Sequence, residues 1–441
     1  MKYNIAISGT FDVENYGDLM FPVVFQKAME KRGLKFNLFL FSPSDSAPKA
    51  LDKSTMVYSF KDFDALHQKY HFDALVVGGG AIIHCHKINV KLPGAKSFID
   101  DYRSLDAWLT PMLFAEKNGI KILFNVPEAP FDFSPSVQNI VRAAFNKAKY
   151  LSVRDEYSKQ HIEKLYDKQD RPDIRVYPDS VCCIKNYFSE EELTKTRSKL
   201  ISFDNYAIVH FNHTIPDKAQ PGLARAVRRI QQSGMKVVLL PLGYTHGDDV
   251  VMAEFNNKYQ LGCHTFEQKL NILEMTAVLA GCQLYVGTSF HGAIVTIAYG
   301  HKALSYHYLA PLNKNLDMFR MYGVEEYVAK EFKQVNPLLD KILNNKYITN
   351  SSEISKLSEK HFDNLYKAIV KRNTTKPSFT IINQMLNLVV DSIKIDSKVE
   401  QVIHEKNIVL QEKAALAEQY HQIVNSTSWK ITQPLRKLKK H

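Results

Sequence analysis

Short apolar runs alternate along this chain with longer segments in which apolar residues recur every three or four positions. A run such as residues 74–77 (Ala-Leu-Val-Val) contains no polar side chain, which is typical of a strand buried on both faces of a sheet. The longer segments, such as residues 104–117, have the period of amphipathic helices. Regular alternation of the two predicts parallel sheets covered by helices.

The alternation falls into two series, separated by a charged and polar stretch at residues 185–204. Strands are predicted at residues 3–8, 35–41, 73–77, 121–126, 150–153 and 174–177 in the first series, and at residues 206–211, 236–240, 284–286 and 303–307 in the second. Helices are predicted at residues 19–31, 60–70, 104–117, 136–148, 158–166, 223–233, 265–280 and 293–299. We therefore expect an α/β protein with two Rossmann-like doubly wound domains, residues 1–184 and 185–346, and a ligand cleft between them.

Beyond residue 346 the pattern becomes helical. Residues 351–390 are predicted to be helical, and the segment 347–394 to return to the body of the protein. From residue 395, nine positions follow an alternating 4-3 spacing and seven of them are apolar: Ile395, Val399, Val402, Lys406, Val409, Lys413, Leu416, Tyr420 and Ile423. This predicts an amphipathic helix of coiled-coil type within residues 395–441. Residues 395–423 would form a homo-oligomer or dock on the same chain.

Composition places the chain among globular proteins. It has 441 residues, of which 45% are hydrophobic and 23% charged, and no run of about 18 apolar residues predicts a transmembrane helix. The N-terminus leads directly into a strand, and the five cysteines form no C-x-x-C pair. A cytoplasmic protein is therefore expected.

The net charge of +11 is unevenly placed, since five Lys or Arg residues and no acid follow from Lys430 onward. With Trp429 and Ile431, this basic tail suits peripheral contact with the inner face of a membrane. A disordered, solubilising tail is the other interpretation. No nucleic-acid-binding motif accompanies the charge, so we expect no nucleic acid partner.

The most informative stretch is residues 284–299, where a buried strand turns sharply into an apolar helix. Such a turn directs backbone N–H groups and the positive end of the helix dipole toward the carboxyl end of the sheet, where they favour an anion. His291 lies in this turn and could donate a proton, or it could be a structural histidine. The turn residues expected near the anion are Gly287, Thr288, Ser289 and Gly292.

Three other loops follow predicted strands and should meet this turn at the cleft: residues 15–18, 78–80 and 152–155. Arg154 could clamp an anion bidentately, or it could pair with Asp155. Asp18 could act as a base or cap the following helix, and Asp179 could bind a hydroxyl or only end a strand. His210 follows the first strand of the second series and could also reach the cleft.

Residues 84–86 (His-Cys-His) place two histidines on one face of an extended segment. No third ligand stands at a suitable spacing, so we expect no metal. The triglycine at residues 78–80 lacks the G-x-G-x-x-G spacing, so no dinucleotide is expected either.

The motifs together resemble those of the polysaccharide pyruvyl transferase family over roughly residues 1–345. The matching positions are Asn15-x-Gly17-Asp18, Gly78-Gly79-Gly80, residues 151–155 (Leu-Ser-Val-Arg-Asp) with Ser158, Asp179, and residues 289–292 (Ser-Phe-His-Gly). The resemblance implies a GT-B-like pair of Rossmann-type domains. It also implies transfer of pyruvate from phosphoenolpyruvate to two sugar hydroxyls as a cyclic ketal, with phosphoenolpyruvate as donor substrate and no cofactor.

The resemblance also implies roles for particular residues. His291 would be the general acid and Arg154 would bind the donor, to which we add the N–H groups after Gly287. From its own position beside the cleft, Asp18 is expected as a second catalytic residue. The acceptor, a lipid- or nucleotide-linked glycan, is expected to lie against Asn15, Gly79, Gly80, Asp179 and His210. Many members carry arginine two residues before the histidine, where this chain has Ser289. A second cation would then come from elsewhere, among Lys302, His301, His307 and Arg320.

Two other functions are compatible with the same pattern. A GT-B glycosyltransferase would use the fold and the tail with a nucleotide-sugar donor. A non-catalytic scaffold of a glycan assembly complex would explain the missing arginine at position 289. The residues after Asn425 resemble endings found on bacterial surface-glycan glycosyltransferases, which indicates a glycan-assembly setting and no particular reaction.

Overall fold

The computed structural model describes residues 2–46, 48–51, 55–90, 99–307 and 313–425 of the chain. The strands of this described part are β1 (Tyr3–Ser8), β2 (Phe36–Ser42), β3 (Val57–Ser59), β4 (Ala74–Val77), β5 (Lys87–Val90), β6 (Ile99–Arg103), β7 (Lys121–Phe124), β8 (Ala148–Val153), β9 (Ile174–Val176), β10 (Tyr206–His210), β11 (Lys236–Leu239), β12 (Leu284–Gly287), β13 (Lys302–Tyr306) and β14 (Val328–Ala329).

The α-helices of the same part include all those that the apolar pattern predicts between residues 19 and 299, together with others that it does not. They are α1 (Tyr16–Lys31), α2 (Phe63–Tyr70), α3 (Ser104–Lys117), α4 (Gln138–Asn146), α5 (Glu156–Glu163), α6 (Glu190–Arg197), α7 (Gln220–Gln232), α8 (Asp248–Tyr259), α9 (Ile272–Gly281), α10 (Phe290–Ala298), α11 (Asn313–Tyr322), α12 (Val335–Asn344), α13 (Ser351–Val370) and α14 (Thr380–Asn425).

Two parallel sheets organise the described residues. The first has the order β3-β2-β1-β4-β7-β8-β9 and the second the order β11-β10-β12-β13-β14, while β5 and β6 form a separate antiparallel pair. In both sheets the order reverses beside the first strand, between β1 and β4 and between β10 and β12. Such switch points open a crevice at the carboxyl ends of the strands. The predicted α/β fold with two doubly wound sheets is confirmed.

Completely buried apolar runs form the central strands. Ile5, Ala6 and Ile7 of β1 and Ala207, Ile208 and Val209 of β10 are 0% exposed. Burial of apolar surface on both faces accounts for this absence of alternation, because helices cover each face of a parallel sheet. The strand positions were predictable for this reason.

Three helices differ from what the sequence predicts. The helix predicted from residue 265 begins at Ile272, where Asn271 and Glu274 form a reciprocal capping box. Helix α8 was not predicted, because only Asp248, Met252 and Phe255 of its twelve residues are buried and its apolar stripe is narrow. The helical segment expected at 351–390 is interrupted between Val370 and Thr380.

Helix α13 packs against the first sheet. Nδ1 of His361 is hydrogen-bonded to the Tyr150 hydroxyl (2.9 Å), and Glu359 forms an ion pair with Arg32 (2.7 Å). The Ser358 hydroxyl donates to the backbone carbonyl of Asp179 (3.2 Å). The return helix thus supports the loop that follows β9.

The chain divides after Ile381 into two compact units, the first of which contains both sheets. The second contains most of α14, whose described apolar side chains Val399, Val402, Val409 and Leu416 are more than half exposed. The helix predicted there is present, whereas its pairing as a coiled coil stays a prediction. The basic tail at 426–441 lies outside the described residues. Among the described helices, none combines the length and apolarity needed to cross a bilayer.

Candidate active site

A cavity of about 770 Å³ lies where the carboxyl ends of the two sheets face each other. From the first sheet, the loops after β1, β4, β7 and β8 line it, and from the second sheet those after β10, β11, β12 and β13. Of the predicted site residues, those that line the cavity are Asn15, Asp18, Gly80, Arg154, His210, Thr288, Ser289 and His291. The two switch points therefore bring together most of the motifs recognised in the sequence.

His291 occupies the first turn of α10, which Ser289 caps by accepting from the Gly292 N–H (3.2 Å). Its ring lies edge-on to Phe21, with centroids 5.3 Å apart. Gly17 in α1 packs so closely against the imidazole that a Cβ there would overlap Nδ1. The position of His291 therefore depends on a glycine from the opposite sheet.

The imidazole Nε2 of His291 is buried and lies 3.5 Å from Asp179 Oδ2. This Asp179 carboxylate also accepts from the Val181 N–H (3.0 Å) and stands 3.4 Å from Arg154 Nη1. Burial alone would raise the pKa of Asp179, but the charges of His291 and Arg154 outweigh it and lower that pKa below its ordinary value. Asp179 is thus an anion that fixes a histidine and an arginine together.

This placement differs from the expected acceptor role of Asp179. Its side chain is 2% exposed and does not line the cavity. A carboxylate already engaged by an imidazole, a guanidinium and an amide has little capacity left for a sugar hydroxyl. Its position instead suits orientation of His291.

Arg154 lines the cavity but is surrounded by carboxylates. It contacts Glu128, lies 3.7 Å from Asp155 and 3.4 Å from Asp179, and its guanidinium stands 4.5 Å from the centre of the Phe290 ring. Burial would lower the pKa of Arg154, but the three acids raise it, so the side chain stays charged. Arg154 thus pairs with Asp155, as one interpretation expected, while its role as an anion clamp at the cavity stays a prediction.

Asp18 is not the N-cap of α1, since Asn15 fills that position by accepting from the Gly17 N–H (3.0 Å). The Asp18 carboxyl is directed into the cavity beside Gly80, whose φ of +93° is a conformation that favours glycine. Burial raises the pKa of Asp18, although His291 and His246 act in the opposite direction. Asp18 therefore holds a proton more readily than an exposed aspartate.

His210 is fixed by its neighbours on both ring nitrogens. Nε2 lies 3.0 Å from Asp248 Oδ2, an oxygen that also accepts from the N–H groups of Leu242 (3.2 Å) and Gly243 (2.7 Å). A carboxylate can only accept, so the hydrogen of the neutral His210 ring lies on Nε2. Nδ1 then accepts from the Thr288 hydroxyl at 3.2 Å. His210 thus links the strand β10 to the turn that carries His291.

The glycines of the turn do not contact the cavity. A Cβ at Gly287 or Gly292 would overlap the Tyr285 hydroxyl, which accepts from the Ser289 N–H at 3.1 Å. Gly79 faces Phe21 in the same way. The expected donor contacts at Gly287 and Gly292, and the acceptor contact at Gly79, are therefore corrected to close packing that shapes the loops. The turn amides of Ser289 and Gly292 are already bonded within the protein.

Of the candidates for a second cation, only His307 lines the cavity, and burial lowers its pKa to about 4. Lys302 donates to the carbonyls of Ile342 and Asn345, and His301 contacts the carbonyl of Ala280. Arg320 is exposed and pairs with Asp317. These three residues lie outside the cavity.

Lys314 is the cationic side chain that the sequence did not indicate. It lies in the first turn of α11 and lines the cavity, with Nζ 5.9 Å from the centre of the Phe290 ring. Burial lowers the pKa of Lys314, partly offset by Glu128 and Asp18. Glu128 was also missed, although it follows a predicted strand and that position could have identified it.

The His-Cys-His segment borders the cavity through His84, whose backbone carbonyl accepts from the Trp108 indole (3.1 Å). Burial lowers the pKa of His84 to about 4, with His86 as a second cause. Across the described residues, no set of three or more His, Cys, Asp or Glu side chains is arranged to hold a metal ion.

The protein thus has two doubly wound parallel sheets and, between their carboxyl ends, a cavity lined by ionisable side chains. This arrangement is typical of α/β enzymes. The sequence model of the polysaccharide pyruvyl transferase family matches residues 15–308, two thirds of the chain. The protein therefore belongs to the polysaccharide pyruvyl transferase family and is a transferase. Comparison with curated proteins gives no match.

Solved structures show that the fold is shared more widely. UDP-GlcNAc 2-epimerase from Methanocaldococcus jannaschii, solved with UDP-GlcNAc and UDP, superimposes with a TM-score of 0.52 at 12% identity, covering 83% of this chain and 99% of that one. UDP-N-acetylglucosamine 2-epimerase from Rickettsia bellii gives a TM-score of 0.52 at 9% identity, covering 83% and 96%. At these identities the likeness establishes a GT-B-like fold and no shared activity.

Proposed function

We propose that this protein transfers pyruvate from phosphoenolpyruvate to two hydroxyls of a glycan sugar, forming a cyclic ketal during surface polysaccharide assembly. The observation that carries the proposal is the triad of His291, Asp179 and Arg154, in which one carboxylate holds a proton donor and a cation together at a cavity. Family membership supplies the reaction class. The geometry supports a reaction that needs an acid and positive charge at one place.

The proton donor in this proposal is Nδ1 of His291. Nε2 is buried and lies 3.5 Å from Asp179 Oδ2, and the neighbouring carboxylate favours a hydrogen on that nitrogen. In the imidazolium form, Nδ1 carries the second hydrogen and gives it to the methylene carbon of phosphoenolpyruvate. Positive charge then develops at the neighbouring carbon that bears the phosphate and the carboxylate.

One sugar hydroxyl attacks that carbon, and its proton passes to Asp18. A second hydroxyl of the same sugar then displaces the phosphate, whose oxygen takes the remaining proton. One phosphoenolpyruvate and one sugar diol thus give one ketal and one inorganic phosphate. Asp18 suits the role of base because burial raises its pKa, which makes its ionised form a better proton acceptor.

The acceptor is proposed to enter along the first sheet. The exposed rings of Phe131 and Tyr157, 49% and 50% accessible, border the cavity and offer flat apolar surfaces to a sugar ring. Asn15, Gly80 and His210 lie deeper in the same cavity. The glycan would be attached to a lipid or a nucleotide, at the cytoplasmic face of a membrane.

The test is a direct assay of both products. Purified protein is incubated with phosphoenolpyruvate and a panel of nucleotide-linked and lipid-linked sugars, while released phosphate and the mass of the sugar are measured. We expect phosphate release that depends on the sugar, together with a sugar heavier by one pyruvate ketal. His291→Gln should lower the rate about a hundredfold or more. His404→Gln, an exposed histidine of α14, serves as the matched control.

A nucleotide-sugar donor is the second candidate. The observation in its favour is the fold shared with an epimerase solved with UDP-GlcNAc and UDP. In the same assay, release of nucleoside diphosphate without consumption of phosphoenolpyruvate would replace the pyruvyl transfer proposal by this one. Absence of both reactions, with no change of the host glycan in His291→Gln cells, would favour a scaffold.

A further inference from the structure

The positive charge available to a donor in this cavity is limited. Its acidic lining residues are Asp18, Glu128, Asp155, Asp248 and Asp317, and its lining Lys and Arg residues are Arg154 and Lys314. Arg154 divides its charge among three carboxylates. An anion such as phosphoenolpyruvate would need a further cation, because repulsion between like charges is strong where water is excluded.

Lys314 stands close to Arg154 and to the catalytic turn. Its Nζ is 5.9 Å from the centre of the Phe290 ring, and the Arg154 guanidinium is 4.5 Å from the same ring centre. Phe290 directly precedes His291 in the chain. Two cations from different sheets therefore converge beside the residue that would protonate the donor.

Unlike Arg154, Lys314 has no acid within ion-pair distance in the described part of the chain. Its charge is nonetheless influenced by Glu128 and Asp18, and burial lowers its pKa. A partly desolvated ammonium without an ion-pair partner reduces the stability of the folded protein unless a ligand supplies the opposite charge. Two other candidates for a second cation are already engaged, Lys302 with backbone carbonyls and Arg320 with Asp317.

We propose that Lys314 is a donor-binding residue that contacts the phosphate group of the donor substrate, near the site held by Arg154. The inference rests on the proposed function for the identity of that donor, phosphoenolpyruvate. An ammonium suits this task because it acts as a compact point charge toward a phosphate, without the planar geometry that a guanidinium requires.

The experiment measures binding and stability separately in Lys314→Gln and Lys314→Arg. The probes are phosphoenolpyruvate, inorganic phosphate and UDP, titrated calorimetrically into the full-length protein, with thermal unfolding recorded for each variant without ligand. Lys330→Gln, an exposed lysine of the same half, is the matched control.

We expect Lys314→Gln to weaken phosphoenolpyruvate binding about tenfold to a hundredfold, while Lys314→Arg recovers a large part of the affinity. The KM for phosphoenolpyruvate should rise more than kcat falls. Without ligand, the melting temperature of Lys314→Gln should equal or exceed that of the parent, because an uncompensated buried charge has been removed. A purely structural lysine would give the reverse.

The outcomes separate the two proposals. Phosphoenolpyruvate binding that is unchanged in Lys314→Gln, or a lowered melting temperature with unchanged affinity, would overturn the role of Lys314 and leave the proposed function in place. A parent protein that binds UDP and not phosphoenolpyruvate, and loses UDP binding in Lys314→Gln, would overturn the proposed donor while supporting the phosphate contact.

Discussion

Nε2 of His291, in the helix that follows strand β12 of the second sheet, lies 3.5 Å from the carboxylate of Asp179, which follows the last strand of the first sheet. The same carboxylate stands 3.4 Å from Arg154. One buried anion thus lies between the histidine and the arginine to which the proposed function assigns the proton and the donor charge.

Replacing Asp179 by Asn tests this arrangement. We expect the rate of pyruvyl transfer to fall at least tenfold, because an amide no longer supplies the negative charge that lies between His291 and Arg154. The fall should appear in kcat more than in the KM for phosphoenolpyruvate, since Asp179 does not line the cavity. Asp173→Asn, which removes an exposed partner of Arg175, is the control and should leave the rate unchanged. An unchanged kcat in Asp179→Asn would show that Asp179 has only a structural role.

Gly17→Ala tests the close approach of α1 to His291. The added Cβ would overlap the imidazole, so the ring must move and activity should fall about tenfold or more. Gly33→Ala is a useful contrast. Gly33 has a φ of +74° and open space around it, so alanine there should cost about 1 kcal/mol of stability and leave the rate intact. Equal activity in the two variants would contradict the proposed geometry.

His361 makes the stability of the fold sensitive to acid. In its neutral form, Nε2–H donates to Asn125 and Nδ1 accepts from Tyr150, and burial lowers the pKa of His361 to about 3. The unfolded chain, in which this histidine has a pKa near 6.5, binds the proton more tightly. The stabilisation is therefore complete above pH 6.5 and is lost as the pH falls toward 3.

The loss should reach on the order of 4 kcal/mol over that interval. Chemical denaturation at several pH values between 7 and 4 measures it. His361→Gln should be less stable than the parent at pH 7 and should lack the part of the slope between pH 6.5 and 5. Parallel slopes for the two proteins would assign the acid sensitivity to other groups.

Phe131→Ala and Tyr157→Ala test the proposed acceptor surface. Each should raise the KM for the sugar about tenfold, because a ring that stacks on the acceptor is lost. Affinity for phosphoenolpyruvate and the melting temperature should change little, since both rings are half exposed. Phe379→Ala removes an equally exposed ring outside the cavity and should have no kinetic effect. If the KM for phosphoenolpyruvate rose instead, the acceptor would have to bind at another surface.

The central strands of both sheets could be predicted from the sequence, because strands buried on both faces are short runs of apolar residues. The runs around Ile7 and Val209 are wholly apolar, and strands of this kind need helices on both sides. The sequence also located His291 and Arg154 at the cavity, because residues that follow parallel strands all reach the same edge. Helix α8 was not predicted, because few of its residues are buried. Helix α9 was predicted to begin at residue 265, whereas the capping box at Asn271 sets its true start.

The partners of the site residues were not predictable in the same way. Lys314 follows no motif, and its position depends on how the chain folds back after β13 to begin α11. The pairing of Asp179 with His291 joins residues 112 positions apart on different sheets, so no local pattern contains it. Spacing identifies which loops reach the cavity, whereas the packing of one sheet against the other decides which side chains meet there.

The histidine and its aspartate come from different halves of the molecule, and this has a consequence for the proposed mechanism. Each lobe supplies only one member of the pair, so we expect neither lobe by itself to catalyse the transfer. In the proposed mechanism, activity requires both lobes in one relative position and reports on how the two are held together.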